Sequence, residues 1–151
     1  MTKEQAYRKF VKLYDIEVPQ EQVDNMFNYF MLQAKHNMQY DTLTTGAVHL
    51  NKKEELAAME DEMREAAYFE AKSDLVMKEL MKKLEPEVTE EELKAKAEEK
   101  CRKDGTSMEM LKMFFGPSLS GLKRDLQEEK VKDYICEQMN NTFKESEETS
   151  D

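Results

Sequence analysis

Apolar residues recur every three or four positions along most of the chain, the spacing that places them on one face of an α-helix. The first such run extends to about Tyr14, and the second begins at Pro19 and extends to about Tyr40. The second run is the most hydrophobic, and its apolar positions are Val23, Met26, Phe27, Phe30, Met31, Ala34 and Met38. Because most of the chain follows this helical spacing, we expect an all-α fold.

The third predicted helix is the longest. It runs from a cap at Asn51 to Leu84, roughly 30 residues or about 45 Å at ~1.5 Å per residue. Its apolar stripe consists of Leu56, Met59, Met63, Ala66, Met77, Leu80 and Leu84. Glu70 and Ser73 interrupt this stripe, so we expect part of the helix to leave the core as an arm-like projection.

The segments around the remaining helices carry loop and capping signals. Residues 41–46 lack periodicity and are predicted as a loop, and residues 47–50 as either a turn or a short strand-like piece. Thr89 has capping-box spacing and begins the fourth helix. Thr106 is expected to cap a short fifth helix, and Ser118 or Ser120 to open the last one.

Composition narrows the architecture and the partners. Charged residues make up 37% of the chain against 4 Gly and 3 Pro, which suits solvated helices. We expect one irregular multi-helix domain over residues 1–143 and a disordered acidic tail over residues 144–151. The formal net charge of −10 repels phosphate backbones and anionic lipids, so neither nucleic acid nor membrane is an expected partner. Without an apolar run of ~20 residues or a secretory segment, we expect a cytoplasmic protein.

The residues that carry catalysis in helical proteins are scarce. His36 and His49 are the two histidines, and neither follows a glutamate by three positions as in di-iron bundles. Cys101 and Cys136 form no CxxC motif and are expected to be free thiols. No Gly-x-Ser-x-Gly or phosphate-binding glycine motif is present. We therefore expect no enzyme activity, no catalytic residue, no cofactor and no bound metal.

Methionine is the unusual component, with 12 in the chain. Its flexible, polarisable side chain fills gaps in a core and also lets a surface re-pack around different partners. Both interpretations stay open for any single methionine, but two clusters are dense enough that some members are expected to line a groove. The candidate binding residues are Met26, Phe27, Phe30, Met31, Met59, Met63, Met110, Met113 and Phe114.

Four segments carry a family resemblance: residues 15–23, 54–80, 88–93 and 122–135. In order and spacing they are similar to the C-terminal domain of trigger factor, the bacterial ribosome-associated folding chaperone of the trigger factor/SurA peptide-binding type. The resemblance extends from about Tyr14 to Asn140. In that family the domain is an all-helical body with projecting arms that holds unfolded or nascent polypeptides on a concave, partly apolar surface.

The resemblance implies an ATP-independent chaperone domain that binds apolar segments of unfolded or nascent polypeptides in a Met- and Phe-lined helical crevice. The family's prolyl isomerase activity lies in a separate domain, for which this chain has no room. Ribosome docking uses a Gly-Phe-Arg loop in a separate N-terminal domain, and this chain contains no Phe-Arg. The ribosome is thus a partner only if a parent protein carries that domain, and the chain is either an excised domain or a natural short form.

Two other classes remain open from the sequence. One is a structural protein–protein interaction domain whose apolar faces are covered by a fixed partner or by self-association, for example as a homodimer. The other is a metal-dependent bundle enzyme.

Overall fold

A computed structural model of the chain describes residues 2–46 and 52–148, with the main chain alone at residue 52 and at residues 142–148. The described residues form six helices and no strand. The helices are α1 (Lys3–Leu13), α2 (Gln20–Thr45), α3 (Lys52–Leu84), α4 (Glu90–Asp104), α5 (Met108–Phe115) and α6 (Ser120–Glu148). The predicted all-α fold is confirmed. The predicted piece at residues 47–50, His49 and the cap at Asn51 lie outside the described residues.

Local capping explains where the shorter helices begin and end. The Thr89 hydroxyl oxygen accepts a hydrogen bond from the Glu92 N–H at 3.1 Å and caps α4, as predicted. Gly105 ends α4 with φ 64°, a left-handed conformation that glycine adopts without steric cost. For α5 the prediction of Thr106 as the cap is wrong. Ser107 is the extended residue directly before the helix, and its hydroxyl accepts from the Met110 N–H at 3.3 Å.

The second helix is longer than predicted. Residues 41–45, predicted as a loop, continue α2 to Thr45, and Gly46 ends it with φ 71°. The hydroxyls of Thr42 and Thr44 donate hydrogen bonds to the main-chain carbonyl oxygens four residues earlier, at 3.0 and 2.8 Å. These bonds let threonine follow the helix. The loop prediction is wrong because the threonine hydroxyls find hydrogen-bond acceptors on the helix backbone.

The long helix α3 has 33 residues, which confirms its predicted length. Of the two residues expected to interrupt the apolar stripe, Glu70 is exposed and Ser73 is buried. Ser73 is only 8% exposed, and Ala67 and Ala71 are buried beside it. The helix simply uses a neighbouring stripe of small residues here, whose short side chains let another helix come close. The expected arm-like projections remain a prediction.

The chain divides into two compact units, each described here by itself. Unit 1 contains the residues up to Phe10 and those from Met77 onwards, and unit 2 is Val11–Val76. In unit 1, α4, α5 and α6 meet around a core of Ala97, Leu111, Leu119 and Leu122, with Leu93, Cys101, Met108 and Phe115 packed against it. The first turns of α1 lie on α6, where Lys3 pairs with Asp133 at 2.6 Å and Lys132 lies over the Tyr7 ring.

In unit 2, α2 packs on α3. The core consists of Val23, Ala67 and Ala71, and the partly buried side chains packed against it are Val18, Met26, Phe27 and Phe30. Arg64 covers the outer side of this cluster, with its guanidinium carbon 4.2 Å from the centre of the Phe27 ring. An arginine plane stacked on an aromatic ring stabilises the edge of a small core.

The far C-terminus is helical for longer than expected. Helix α6 ends at Glu148, so helical backbone extends into the predicted acidic tail, and residues 149–151 lie outside the described residues. The division into a domain over residues 1–143 and a tail over residues 144–151 stays a prediction.

Candidate functional site

The nine candidate side chains fall into two groups, one in each unit. The α2–α3 group consists of Met26, Phe27, Phe30, Met31, Met59 and Met63 and lies in unit 2. The α5 group consists of Met110, Met113 and Phe114 and lies in unit 1. A single groove shared by both groups remains a prediction.

The α5 group is strongly exposed. Met110 is 62% exposed, Met113 86% and Phe114 83%, although all three are large apolar side chains. Their spacing of three and four residues places them on one side of the helix. The opposite side of α5 is used by the core, through Leu111 and the partly buried Phe115. An eight-residue helix thus presents a methionine and phenylalanine surface while a buried face anchors it.

The end of α5 is held closely against α6. A Cβ on Gly121 would lie 3.1 Å from the Phe115 ring and 3.3 Å from the Phe115 carbonyl oxygen, so glycine permits this approach. Gly116 follows the helix with φ 97° and ψ 159°, a conformation open to glycine. Leu119 adopts φ 57° while its side chain is buried. The turn is therefore defined by specific backbone conformations, which keep α5 in a fixed orientation.

A small cavity adjoins the exposed surface of α5. It has a volume of about 310 Å³ and is lined by Lys100, Asp104, Thr106, Met110, Leu111, Phe114 and Phe115. Four of its lining residues are apolar, and the Lys100 ammonium lies 5.5 Å from the Phe115 ring centre.

The burial of the α2–α3 group indicates that these side chains mainly stabilise the packing of α2 on α3. All six members are half-buried, and Met26, Phe27 and Phe30 pack on the core of unit 2. Met26 also reaches a cavity of about 390 Å³, whose other lining residues are Gln22, Asn25, Tyr29, Ala71 and Asp74. Met26 therefore packs on this core and also has access to an open cavity.

A second apolar stripe on α2 is absent from the sequence-based candidates. It consists of Tyr29, Leu32, Tyr40 and Leu43, which are 54%, 61%, 67% and 86% exposed. Their spacing of three, eight and three residues puts them on one side of the helix. The spacing is visible in the sequence, but the more regular face containing Phe30 conceals it.

An ion pair connects α4 to α6, the two helices on which α5 packs. Lys130 pairs with the Glu92 carboxylate at 2.8 Å and also donates to the main-chain carbonyl oxygen of Glu87. The hydrogen bond from Lys130 is the largest of the effects that lower the pKa of Glu92 from its ordinary value. Gln127 donates to the Pro86 carbonyl oxygen at 3.2 Å, so the segment before α4 is tied to α6 at several points.

The described residues contain no group of three His, Cys, Asp or Glu side chains that could hold a metal ion. Cys101 and Cys136 are free and half-buried. His36 is exposed on α2.

None of the described helices is long and apolar enough to cross a membrane.

Comparison with known proteins gives one family. The model of the family described as bacterial trigger factor protein (TF) C-terminus matches residues 1–137. No curated protein and no solved structure matches the chain. The matched family is the chaperone C-terminal part of trigger factor and not its catalytic prolyl isomerase part, so the match brings no enzyme activity with it. The match covers nearly the whole chain, and the protein belongs to the trigger factor C-terminal family.

Proposed function

We propose that this chain is an ATP-independent chaperone domain that holds exposed apolar segments of unfolded or nascent polypeptides. Membership of the family supports a chaperone-type role. The observation that carries the finer proposal is the α5 group, three adjacent large apolar side chains left in water on a helix whose other face is anchored in a core. Contiguous apolar surface of this kind marks a binding site.

The residue types of the α5 group suit varied clients. Methionine has an unbranched chain and a polarisable sulfur, so it adapts its shape to different partners at little cost. Phe114 adds a large flat surface, and its ring stands edge-on to Phe115 with 4.9 Å between the centres. Apolar contact alone accounts for holding and release, because such contacts are non-directional. No cofactor or catalytic residue is needed in this proposal.

The α2–α3 group has a smaller part in the proposal. Met26 contributes to the cavity of unit 2, whereas Phe27 and Phe30 mainly support the helix pair. A crevice lined by all nine candidates, contact with the ribosome through a separate domain of a parent protein, and a cytoplasmic location remain expectations.

The test is suppression of aggregation of a chemically denatured client by the folded protein. The variant is M110S/M113S/F114S, and the matched control is K112S, which changes an exposed residue of the same helix. We expect the triple variant to lose most of the holding activity and to keep its far-UV circular dichroism, while the control behaves like the parent. A triple variant that suppresses aggregation as well as the parent would overturn the assignment to α5.

A second candidate function is a fixed protein–protein interaction domain, and the exposed stripe of Tyr29, Leu32, Tyr40 and Leu43 favours it. Interface cores are depleted of charge and enriched in aromatic residues, and this stripe has that composition. Analytical ultracentrifugation separates the two functions. An obligate dimer that L32S/L43S converts to a monomer would favour the interaction domain, and a monomer at all concentrations would favour the chaperone.

A further inference from the structure

Unit 2 contains a cavity that the proposed function does not use. Its volume is about 460 Å³, and it is lined by Lys12, Arg64, Glu65, Tyr68, Phe69 and Lys72. Five of these residues lie on successive turns of α3, and Lys12 belongs to the last turn of α1. The cavity thus combines two aromatic walls with three cationic side chains and one carboxylate.

Lys72 is the unusual member, because it is only 8% exposed. Its ammonium donates a hydrogen bond to the main-chain carbonyl oxygen of Lys12 at 3.0 Å. That carbonyl lies at the end of α1, where the helix leaves its last carbonyl groups without internal partners. The described residues give this ammonium no carboxylate partner within 4.0 Å. An ammonium has three N–H donors, so one hydrogen bond leaves donor capacity for a ligand.

The surrounding charges reinforce this capacity. Arg64 is held in position by Glu60 at 3.0 Å and by stacking on the Phe27 ring. Lys12 adds a third cation, and the opposing carboxylates are Glu65 in the lining and Glu60 beside Arg64, which leaves one net positive charge. A buried cation without a counter-ion is unfavourable, and an anion placed beside it offsets that penalty. In a chain of net charge −10, this cavity is a local excess of positive charge.

We infer that the cavity binds a carboxylate carried next to an apolar side chain of a polypeptide client. Tyr68 and Phe69 supply the apolar walls, and the Lys72 ammonium, supported by Lys12 and Arg64, supplies the charge. The carboxylate comes from a chain terminus or from an Asp or Glu side chain. This inference rests on the proposed function, and it gives an acidic domain a place to hold acidic segments that its overall field repels.

The experiment is isothermal titration of the folded protein with four short peptides at low ionic strength. Acetyl-Leu-Leu-Phe with a free terminal carboxylate is compared with its amide, and acetyl-Leu-Glu-Phe-amide with its Gln counterpart. We expect at least one carboxylate peptide to bind about ten-fold more tightly than its neutral partner, since charge-assisted hydrogen bonds to a buried cation are strong. The pair that shows the difference identifies the source of the carboxylate.

The variants make the test specific to the cavity. K72M keeps the aliphatic stem and is expected to abolish the preference for the carboxylate peptide. K12Q leaves the main-chain carbonyl in place and is expected to weaken carboxylate binding about three-fold, whereas E65Q is expected to strengthen it by a similar factor. K78M is the matched control, because Lys78 is an exposed α3 residue away from the cavity lining.

Each outcome decides the inference. Equal binding of carboxylate and neutral peptides overturns it, and so does a preference that survives both K12Q and E65Q unchanged. If K72M fails to fold, the opposite effects of K12Q and E65Q still decide, since both of these side chains are exposed. Absence of a carboxylate preference in the unmutated protein, together with normal suppression of aggregation, contradicts this inference alone. Failure of the α5 variant to reduce aggregation suppression contradicts the proposed function instead.

Discussion

The α2–α3 group and the α5 group have the same residue types and nearly the same helical spacing, yet the structure treats them differently. Phe30 packs on a core formed with Ala67 and Ala71, whereas Met113 is 86% exposed. The difference lies in what each helix faces. In unit 2, α2 meets small residues on α3, which admit large side chains. In unit 1, α5 is eight residues long and buries only one side. A methionine and phenylalanine cluster stays exposed when its helix already has another anchored face.

The largest expected difference between the groups concerns stability. Phe30→Ala removes a ring packed on a core and is expected to reduce the free energy of unfolding by about 2–3 kcal/mol, below the cost for a fully buried ring. Met113→Ala removes an exposed side chain and is expected to change it by less than about 0.5 kcal/mol. Urea unfolding followed by far-UV circular dichroism measures both. Equal losses of unfolding free energy in the two variants would show that the difference in exposure between Phe30 and Met113 does not determine their contributions to stability.

The contrast was only partly predictable from the sequence. The all-α fold, the length of α3, the cap at Thr89 and the family resemblance follow from local patterns, and the structure and the family comparison confirm them. Periodicity shows which residues share a helix face but does not identify the element that covers the face. For that reason Phe30 and Met113 could not be separated in advance.

Two other failures have equally local causes. Residues 41–46 are predicted as a loop because they lack periodicity, but the threonine hydroxyls donate hydrogen bonds back to the helix backbone. Lys72 sits in a buried part of α3 and looks in the sequence like an ordinary surface lysine. Its burial depends on the end of α1, about 60 residues earlier in the chain.

A smaller effect on stability concerns the close contact between the end of α5 and α6. Gly121→Ala adds a methyl group against the ring, Cα and carbonyl of Phe115, so the end of α5 must shift. We expect a net loss of about 1–2 kcal/mol, because the cost of overpacking exceeds the gain in helix propensity. Ser120→Ala, at the exposed neighbouring residue, is the control. A stabilisation by Gly121→Ala in the urea experiment would mean that α5 is not held against α6.

Removing the N-terminal cap of α5 is expected to lower the free energy of unfolding by about 1 kcal/mol. Ser107→Ala removes the oxygen that accepts from the Met110 N–H, so α5 is expected to begin less firmly and the protein to lose about that amount. Thr106→Ala is the matched control and is expected to cost less, since Thr106 is not the residue that caps α5. The opposite ranking of the two variants in thermal unfolding would restore the sequence-based assignment of the cap.

The smallest expected effect is a dependence of stability on pH, and it arises in unit 1. Lys130 lowers the pKa of Glu92 from its ordinary value of 4.5 in the folded state. The folded protein therefore binds this proton less readily than the unfolded chain. The resulting stabilisation is complete above pH 4.5 and is lost as the pH falls through the lower folded pKa. Because the Glu92 carboxylate is exposed, salt screens the ion pair and keeps the effect small.

Hydrogen exchange measured below that pH distinguishes the two groups. Acid is expected to lower the protection of the Leu111 amide against exchange more than that of the Val23 amide. Leu111 anchors α5, and Val23 anchors α2. Glu92→Gln is the control variant, since glutamine keeps the capping-box pattern and the Lys130 contact to the Glu87 carbonyl but cannot titrate. The acid response at Leu111 should then become flatter. An unchanged response in Glu92→Gln would exclude this carboxylate as its cause, and the support of α5 would rest on its apolar core alone.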